Sequence, residues 1–152
     1  MAADDERAEY DPPERMRRLP SWLASELARR GQALVLEALA QEGVRRQHFA
    51  VLTSLAEQGA ASQADLGRRL WIDRSDLHAL LGELERDGLV ARVRDAEDRR
   101  RNVVTLTPAG KAALARLDER VDSAQRVLLE PLSAKERREL IRLLKRVVSH
   151  RP

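Results

Sequence analysis

Apolar residues recur every three or four positions along most of this chain and switch to every second position in one place only. Leu23, Leu27, Leu34 and Ala38 fall on one stripe, with Ser21 placed to cap the free N–H groups behind Pro20 and Gly43 as a stop; the spacing predicts a helix over 21–41. Val44, His48, Val51, Leu52 and Leu55 repeat the pattern over 44–57, ending at Gly59. A short third helix opens at Ser62, whose partner three residues on is Asp65, and runs through Leu66 to Leu70. Asp73 caps a fourth, carrying Leu77, Leu80, Leu81 and Leu84, which Gly88 ends where a left-handed residue is needed. There the period changes. Leu89, Ala91 and Val93 alternate with Val90, Arg92 and Arg94, a charged tip follows over 95–101, and 102–106 returns as a second strand. Thr107 then caps a helix with Pro108 in its first position, where the missing N–H is harmless. Its residues Leu114, Leu117, Val121, Ala124 and Leu128 form a 3-4 seam that wants a partner helix. Pro131 breaks it, Ser133 and Glu136 make a capping box, and Leu140, Ile141, Leu144, Val147 and Val148 line a last helix.

Helix, helix, short helix, turn, helix, hairpin, helix, helix is the layout of a winged helix-turn-helix held between terminal helices. The expected fold is mainly α with a small β-hairpin wing. The winged unit occupies about 44–106 of a single domain over 20–152, and helices over 21–41, 108–130 and 133–149 are left for dimerisation. A chain of 152 residues cannot bury the stripes of all these helices around one small winged lobe, so a second copy is expected to cover them.

Composition narrows the chemistry. Cysteine is absent, which removes disulfides, thiolate metal sites, cysteine nucleophiles and thiol redox switches. No stretch approaches the roughly 18 apolar residues of a membrane span, and Met1 leads into Asp4, Asp5 and Glu6, so a cytoplasmic protein is expected. Residues 1–14 hold six acids against Arg7, a local −5, leaving 27 basic against 19 acidic groups, or +8, in the rest. An acidic flexible arm over 1–19 on a basic body suits a polyanionic partner. The basic residues are almost all Arg, however, a bias that a GC-rich genome produces whatever the protein does. His48, His78 and His150 lie on three different elements with no metal-ligand spacing, phosphate loop or nucleophile–base signature, so no enzyme and no cofactor are expected. Aromatics at 3% disfavour a stacking surface for single strands.

The second helix of a helix-turn-helix places its N-terminal side chains against base edges in the major groove. Here that end offers Arg74 for a bidentate pair to guanine, Ser75 for phosphate or base, Asp76 for a cytosine amino group or a neighbouring arginine, and His78 one turn on. Ser62 and Gln63, at the start of the preceding helix, are expected on the same side. The helix over 73–87 carries five acids against Arg74 and Arg86, a net −3, which counts against a simple electrostatic picture unless its C-terminal acids face away from the groove. Gly82 in its interior has no explanation in the sequence. At the hairpin tip, Arg99, Arg100 and Arg101 follow Asp98. An arginine in a narrow minor groove reads groove width, and Asp98 is placed to hold Arg100 extended through a fork-to-carboxylate pair. The bland alternative is a solvated charged turn.

With these residues in hand, the chain resembles the MarR (multiple antibiotic resistance repressor) family of transcriptional regulators. The resemblance rests on Asp73-Arg74-Ser75, on Leu84-Glu85-Arg86-Asp87-Gly88-Leu89-Val90-Ala91-Arg92, and on the run from Asp98 through Thr107-Pro108-Ala109-Gly110, and it covers about 20–150. The last run looks like that family's wing signature, with Asp98 and Arg100 as its D-x-R pair. The resemblance implies an obligate homodimer with interlocked terminal helices, a pseudo-palindromic double-stranded DNA operator, repression, and release by a small aromatic or phenolic effector. Trp71 departs from the family pattern by filling a turn position that is often small, and the missing cysteines exclude its peroxide-sensing branch.

For such an effector the sequence offers Trp22, Arg29 and Arg30 on the first helix and His48 on the second, cations and an aromatic near an apolar cleft. Each has a plainer role: packing or a dimer contact for Trp22, an ion pair for Arg29 and Arg30, a core histidine bonded to a backbone carbonyl for His48. The rival to DNA binding is a winged-helix protein-interaction module whose Arg99, Arg100 and Arg101 grip an acidic partner. Steep salt dependence on a duplex would separate the two.

Overall fold

The computed structural model describes residues 11–100 and 102–150. Arg101 and the first ten residues of the acidic arm lie outside them. The elements run α1 (Glu14–Arg17), α2 (Pro20–Ala40), α3 (Arg46–Gln58), α4 (Gln63–Leu70), α5 (Arg74–Arg86), β1 (Val90–Arg94), β2 (Asn102–Leu106), α6 (Pro108–Leu128) and α7 (Ala134–Ser149). This is a mostly helical fold with a two-stranded antiparallel wing.

Most helix starts follow from a capping side chain. Ser62 accepts from the Asp65 amide, Asp73 from those of Ser75 and Asp76, Thr107 from Gly110, and Ser133 with Glu136 closes a reciprocal box. Two starts differ from the sequence-based expectation. α2 begins at Pro20 itself, with Leu19 as an uncapped N-terminal residue, so Ser21 lies inside the helix rather than capping it. α3 begins at Arg46, two residues later than its apolar stripe suggests, because the His48 side chain turns back onto the Arg45 amide. The single turn α1 sits in the segment read as a flexible arm; Glu14 pairs there with Arg18, and the Arg17 guanidinium reaches the Pro12 carbonyl.

The core is built from leucines of the winged lobe. Leu52 and Leu55 of α3, Leu66 of α4, Leu77, Leu81 and Leu84 of α5, Val90 and Val104 of the hairpin and Leu114 and Leu117 of α6 form one buried cluster. The strands pair from Val90 opposite Leu106 to Arg94 opposite Asn102. Ala61, between α3 and α4, exchanges two backbone hydrogen bonds with Val104, at 3.1 and 2.8 Å, tying the helix-turn-helix to the base of the wing.

α2 lies antiparallel along α6. Gly31 faces Leu128, while Glu42, just past the end of α2, pairs with Arg116 and Arg120 in the middle of α6. α6 is therefore a rod of about 31 Å, at 1.5 Å per residue, whose N-terminal half belongs to the winged lobe and whose C-terminal half leaves it. α7 buries none of its residues, and Val147 and Val148 are 73% and 81% exposed.

Candidate nucleic-acid interface

Two groups of side chains face solvent on the winged lobe: the N-terminal end of α5 and the hairpin tip. At the first, the Asp73 carboxylate gathers the Ser75 amide at 2.8 Å, the Asp76 amide at 3.0 Å and the Ser75 hydroxyl at 2.7 Å. The Asp76 amide first, then the Ser75 hydroxyl, holds that carboxyl below its ordinary value. The Ser75 hydroxyl thus donates to Asp73 and retains only acceptor capacity toward anything beyond it. The Gln63 side chain donates to the Arg74 carbonyl at 3.2 Å, locking the start of α4 to the start of α5.

Together Gln63, Asp73, Arg74, Ser75 and His78 line an open notch of about 630 Å3. Arg74, Ser75, Asp76 and His78 are all exposed. Ser62 plays a different part from Gln63: half-buried, its hydroxyl donates to Asp65 at 2.6 Å and serves the cap.

At the wing, two aspartates shape the backbone. Asp95 accepts from the Glu97 amide at 2.9 Å and Asp98 from the Arg100 amide at 3.0 Å, while Arg94 donates to the Arg99 carbonyl at 3.1 Å. This corrects the fork-to-carboxylate expectation, since Asp98 grips the main chain of Arg100 instead of its guanidinium. Asp and Asn side chains commonly stabilise turns by bonding an amide two residues on. Arg99 and Arg100 are left exposed at the tip.

Two acids in the C-terminal half of α5 meet neighbouring elements, while Asp76 near its start stays exposed. Glu83 accepts from the Nε2 of His48 at 2.8 Å and pairs with Arg45, and Glu85 lies 3.7 Å from Arg92 of β1. His48, only 9% exposed, accepts the Arg45 amide at Nδ1 (3.1 Å), so its ring proton sits on Nε2 and points at Glu83. Its partners are therefore an amide and a carboxylate, not the backbone carbonyl expected of a core histidine. The hydrogen bond from His48, then that from Arg45, draws the Glu83 carboxyl below its ordinary value.

The four residues considered for an effector do not converge. Arg29 pairs with Glu26 on the surface, Arg30 is exposed, Trp22 is half-buried on α2, and His48 has both ring nitrogens engaged. The apolar cleft of the fold lies elsewhere. It measures about 690 Å3 between α2, α6 and α7, and its wall includes Leu27, Val35, Leu128, Ile141, Gln125 and Arg46. Arg46 sits outside every apolar stripe of the sequence; it opens α3, and the packing of α3 beside the other three helices brings it to this wall.

A family model described as MarR family matches residues 42–101, which include α3, α4, α5, β1 and the hairpin tip. A putative transcriptional regulatory protein for the hcr operon of Thauera aromatica is 35% identical over 124 residues, 78% of this chain and 75% of that protein. The homoprotocatechuate degradative operon repressor of Escherichia coli is 32% identical over 85 residues, 56% of this chain and 57% of that protein. Among solved structures, the PcaV transcriptional regulator of Streptomyces coelicolor, in complex with its natural ligand, superposes with a TM-score of 0.67 at 30% identity, over 91% of this chain and 97% of that one. With the notch, the arginine-tipped wing and the flanking helices all in the expected order, this chain belongs to the MarR family of transcriptional regulators.

Proposed function

We propose that the protein is a homodimeric repressor that binds a pseudo-palindromic duplex and leaves it when a small aromatic ligand binds. The observation that carries the reading is the pairing of two exposed features on one lobe. The α5 notch is the shape of a major-groove reader, and Arg99 and Arg100 stand on a wing whose backbone is already fixed by Asp98. Arg74 takes the base-reading role, with His78 beside it; Gln63 orients the start of the helix, and Arg100 enters the minor groove. Two-fold symmetry then sets the recognition helices about one DNA turn apart.

Support for a second copy comes from α7. Ile141, Leu144, Val147 and Val148 leave an apolar stripe uncovered on a helix that buries nothing in the monomer, and an isologous partner helix would cover it. For the ligand, the α2–α6–α7 cleft offers an apolar wall with two glutamine amides, the Arg46 cation and the Asp122 carboxylate, chemistry that suits an aromatic ring carrying both an acceptor for Arg46 and a hydroxyl donor for Asp122. α6 connects this cleft to the wing: Leu128 lines the cleft, and Gly110 at the other end packs on Leu89 at the root of β1. A ligand that prefers one placement of α6 would move the wing by no more than its differential affinity for the two states allows.

The decisive experiment selects fragments from a random duplex pool with the purified protein and titrates the winner against salt. A dyad-symmetric site with affinity falling steeply on a log–log salt plot is expected. Flat salt dependence with no enriched sequence would instead favour the protein-interaction module, with the wing arginines meeting an acidic protein.

A further inference from the structure

Trp71 is the most exposed large hydrophobic residue among those described, at 95%. The next two, Val147 and Val148, belong to the uncovered stripe of α7, whereas Trp71 stands alone in the turn between α4 and α5. Its backbone is left-handed, with φ 54° and ψ 41°, and among the described residues no other non-glycine has a positive φ. Glycine takes this conformation without strain, while a β-carbon resists it. The fold asks only for the backbone here: the Trp71 amide closes the end of α4 on the Gly67 carbonyl, and the indole projects into solvent. A strained position carrying the largest apolar side chain, fully presented, points to a partner outside the chain.

Its surroundings say which kind. Leu70 and Ile72 are turned inward, so the indole belongs to no apolar patch of the sort a protein partner would bury. Around it in sequence stand exposed Arg69 and Arg74 and one acid, Asp73, whose carboxylate is turned onto the Ser75 and Asp76 amides, a local excess of cations that suits a polyanion. Trp71 is three residues from Arg74, at most about 11 Å along an extended chain, and the major groove is about 12 Å wide between its phosphate ridges. With the end of α5 in the groove, the turn lies over one bordering strand. We propose that Trp71 is a DNA contact: its ring packs on the deoxyribose of that strand and its Nε1–H, a donor only, bonds a phosphate oxygen. The inference rests on the duplex-binding reading above and adds a contact to the backbone that carries no sequence information.

The chain has two tryptophans, so Trp22→Phe makes Trp71 the sole reporter. Its emission is followed while fluorescein-labelled duplexes, one selected from the random pool and one of shuffled sequence, report binding by anisotropy. The emission should change in parallel with the anisotropy. In the otherwise unaltered protein, Trp71→Gly should weaken both duplexes by a similar factor, about ten- to a hundredfold, the size expected for a lost hydrogen bond to a charged group. Its melting temperature should match or exceed that of the parent, because glycine suits the left-handed turn. A structural role would lower it instead. Unchanged emission while anisotropy reports saturation, or undiminished affinity of Trp71→Gly, overturns the contact and leaves duplex binding intact. Loss confined to the selected duplex overturns the assignment to the backbone. Failure of the parent protein to bind either duplex removes the duplex-binding reading and this contact with it.

Discussion

Gly110 and Gly82 allow one chemical change, the addition of a methyl group, to be made twice with opposite expected signs. A β-carbon on Gly110 would lie 1.9 Å from the Leu89 carbonyl oxygen and 2.9 Å from its carbon, with the Leu106 side chain at 3.2 Å. Reaching even the 3.0 Å floor of real contacts needs a shift of 1.1 Å, the difference between 3.0 and 1.9 Å, against backbone that cannot rotate aside. The same carbonyl accepts the Thr107 amide at 3.1 Å, and the Gly88 carbonyl accepts the Thr107 hydroxyl at 2.6 Å, so the shift also strains the junction between wing and α6. Overpacking of about 1–3 kcal/mol plus roughly 1 kcal/mol for a lost hydrogen bond gives about 2–4 kcal/mol for Gly110→Ala. For a chain of this size that lowers the melting temperature by about 5–15 °C. At Gly82, in the middle of α5, an added β-carbon meets nothing within 4 Å. Gly82→Ala should therefore raise stability by up to about 1 kcal/mol, the difference in helix propensity. Both are read by circular dichroism melts at one protomer concentration, because dimerisation would make the midpoint concentration-dependent. A Gly110→Ala protein melting within about 2 °C of the parent would show that Leu89 yields freely and that the close approach has no structural weight.

Arg100→Ala should weaken duplex binding by roughly 1–3 kcal/mol and flatten the salt slope by about one unit, with the melt unchanged; full affinity would remove the wing from the interface. Arg74→Ala should relax preference at particular base pairs in a repeated selection, and an equal loss on every sequence would contradict base reading there. Glu83→Gln tests the link from α3 to α5. The Glu83 pKa is depressed in the folded state, so its contribution is complete above the ordinary value of 4.5 and fades as pH falls through the lower folded value. The melting gap between parent and Glu83→Gln should accordingly be widest at neutral pH and close in acid, and a gap that widened in acid would reverse the assignment. Val147→Asp should shift the sedimentation of the protein toward monomer, since it places a charge on the stripe left bare in the single chain.

What could be read from the sequence was whatever local chemistry decides. Ser62, Asp73, Thr107 and Ser133 cap helices because a short oxygen-bearing side chain reaches an amide two or three residues on, and the leucine stripes of α3 and α5 fix which faces meet. The wing followed from a change of period at Gly88, whose φ of 70° is the left-handed turn that ends α5. The misreadings share a different cause. Ser21 met every local criterion for a cap, but Pro20 suits the first helical position better. His48 interrupts an apolar stripe, and no neighbour in sequence announces Glu83, 35 residues away. Trp22, Arg29, Arg30 and His48 stand out by residue type along single helices, whereas the cleft is made where α2, α6 and α7 meet and draws on Arg46 from α3.

The net charge of the recognition helix shows how that limit bears on function. Summed along the sequence, α5 and its caps carry −3, and an anion of that size would be repelled by a phosphate groove. In space the acids are apportioned. Asp73 is bound by two amides and a hydroxyl at the helix start, Glu83 is held against α3 by His48 and Arg45, and Glu85 lies beside Arg92 of the wing. Three of the five acids are thus engaged within the lobe, and two of those pairings fasten α5 to its neighbours on either side. The carboxylates that make the helix look unsuited to DNA are partly spent on holding it in place. Charge read in one dimension overstates the acidity of this helix, because Arg45 beside α3 and Arg92 of β1 offset two of its three excess charges, and only packing brings those residues within reach.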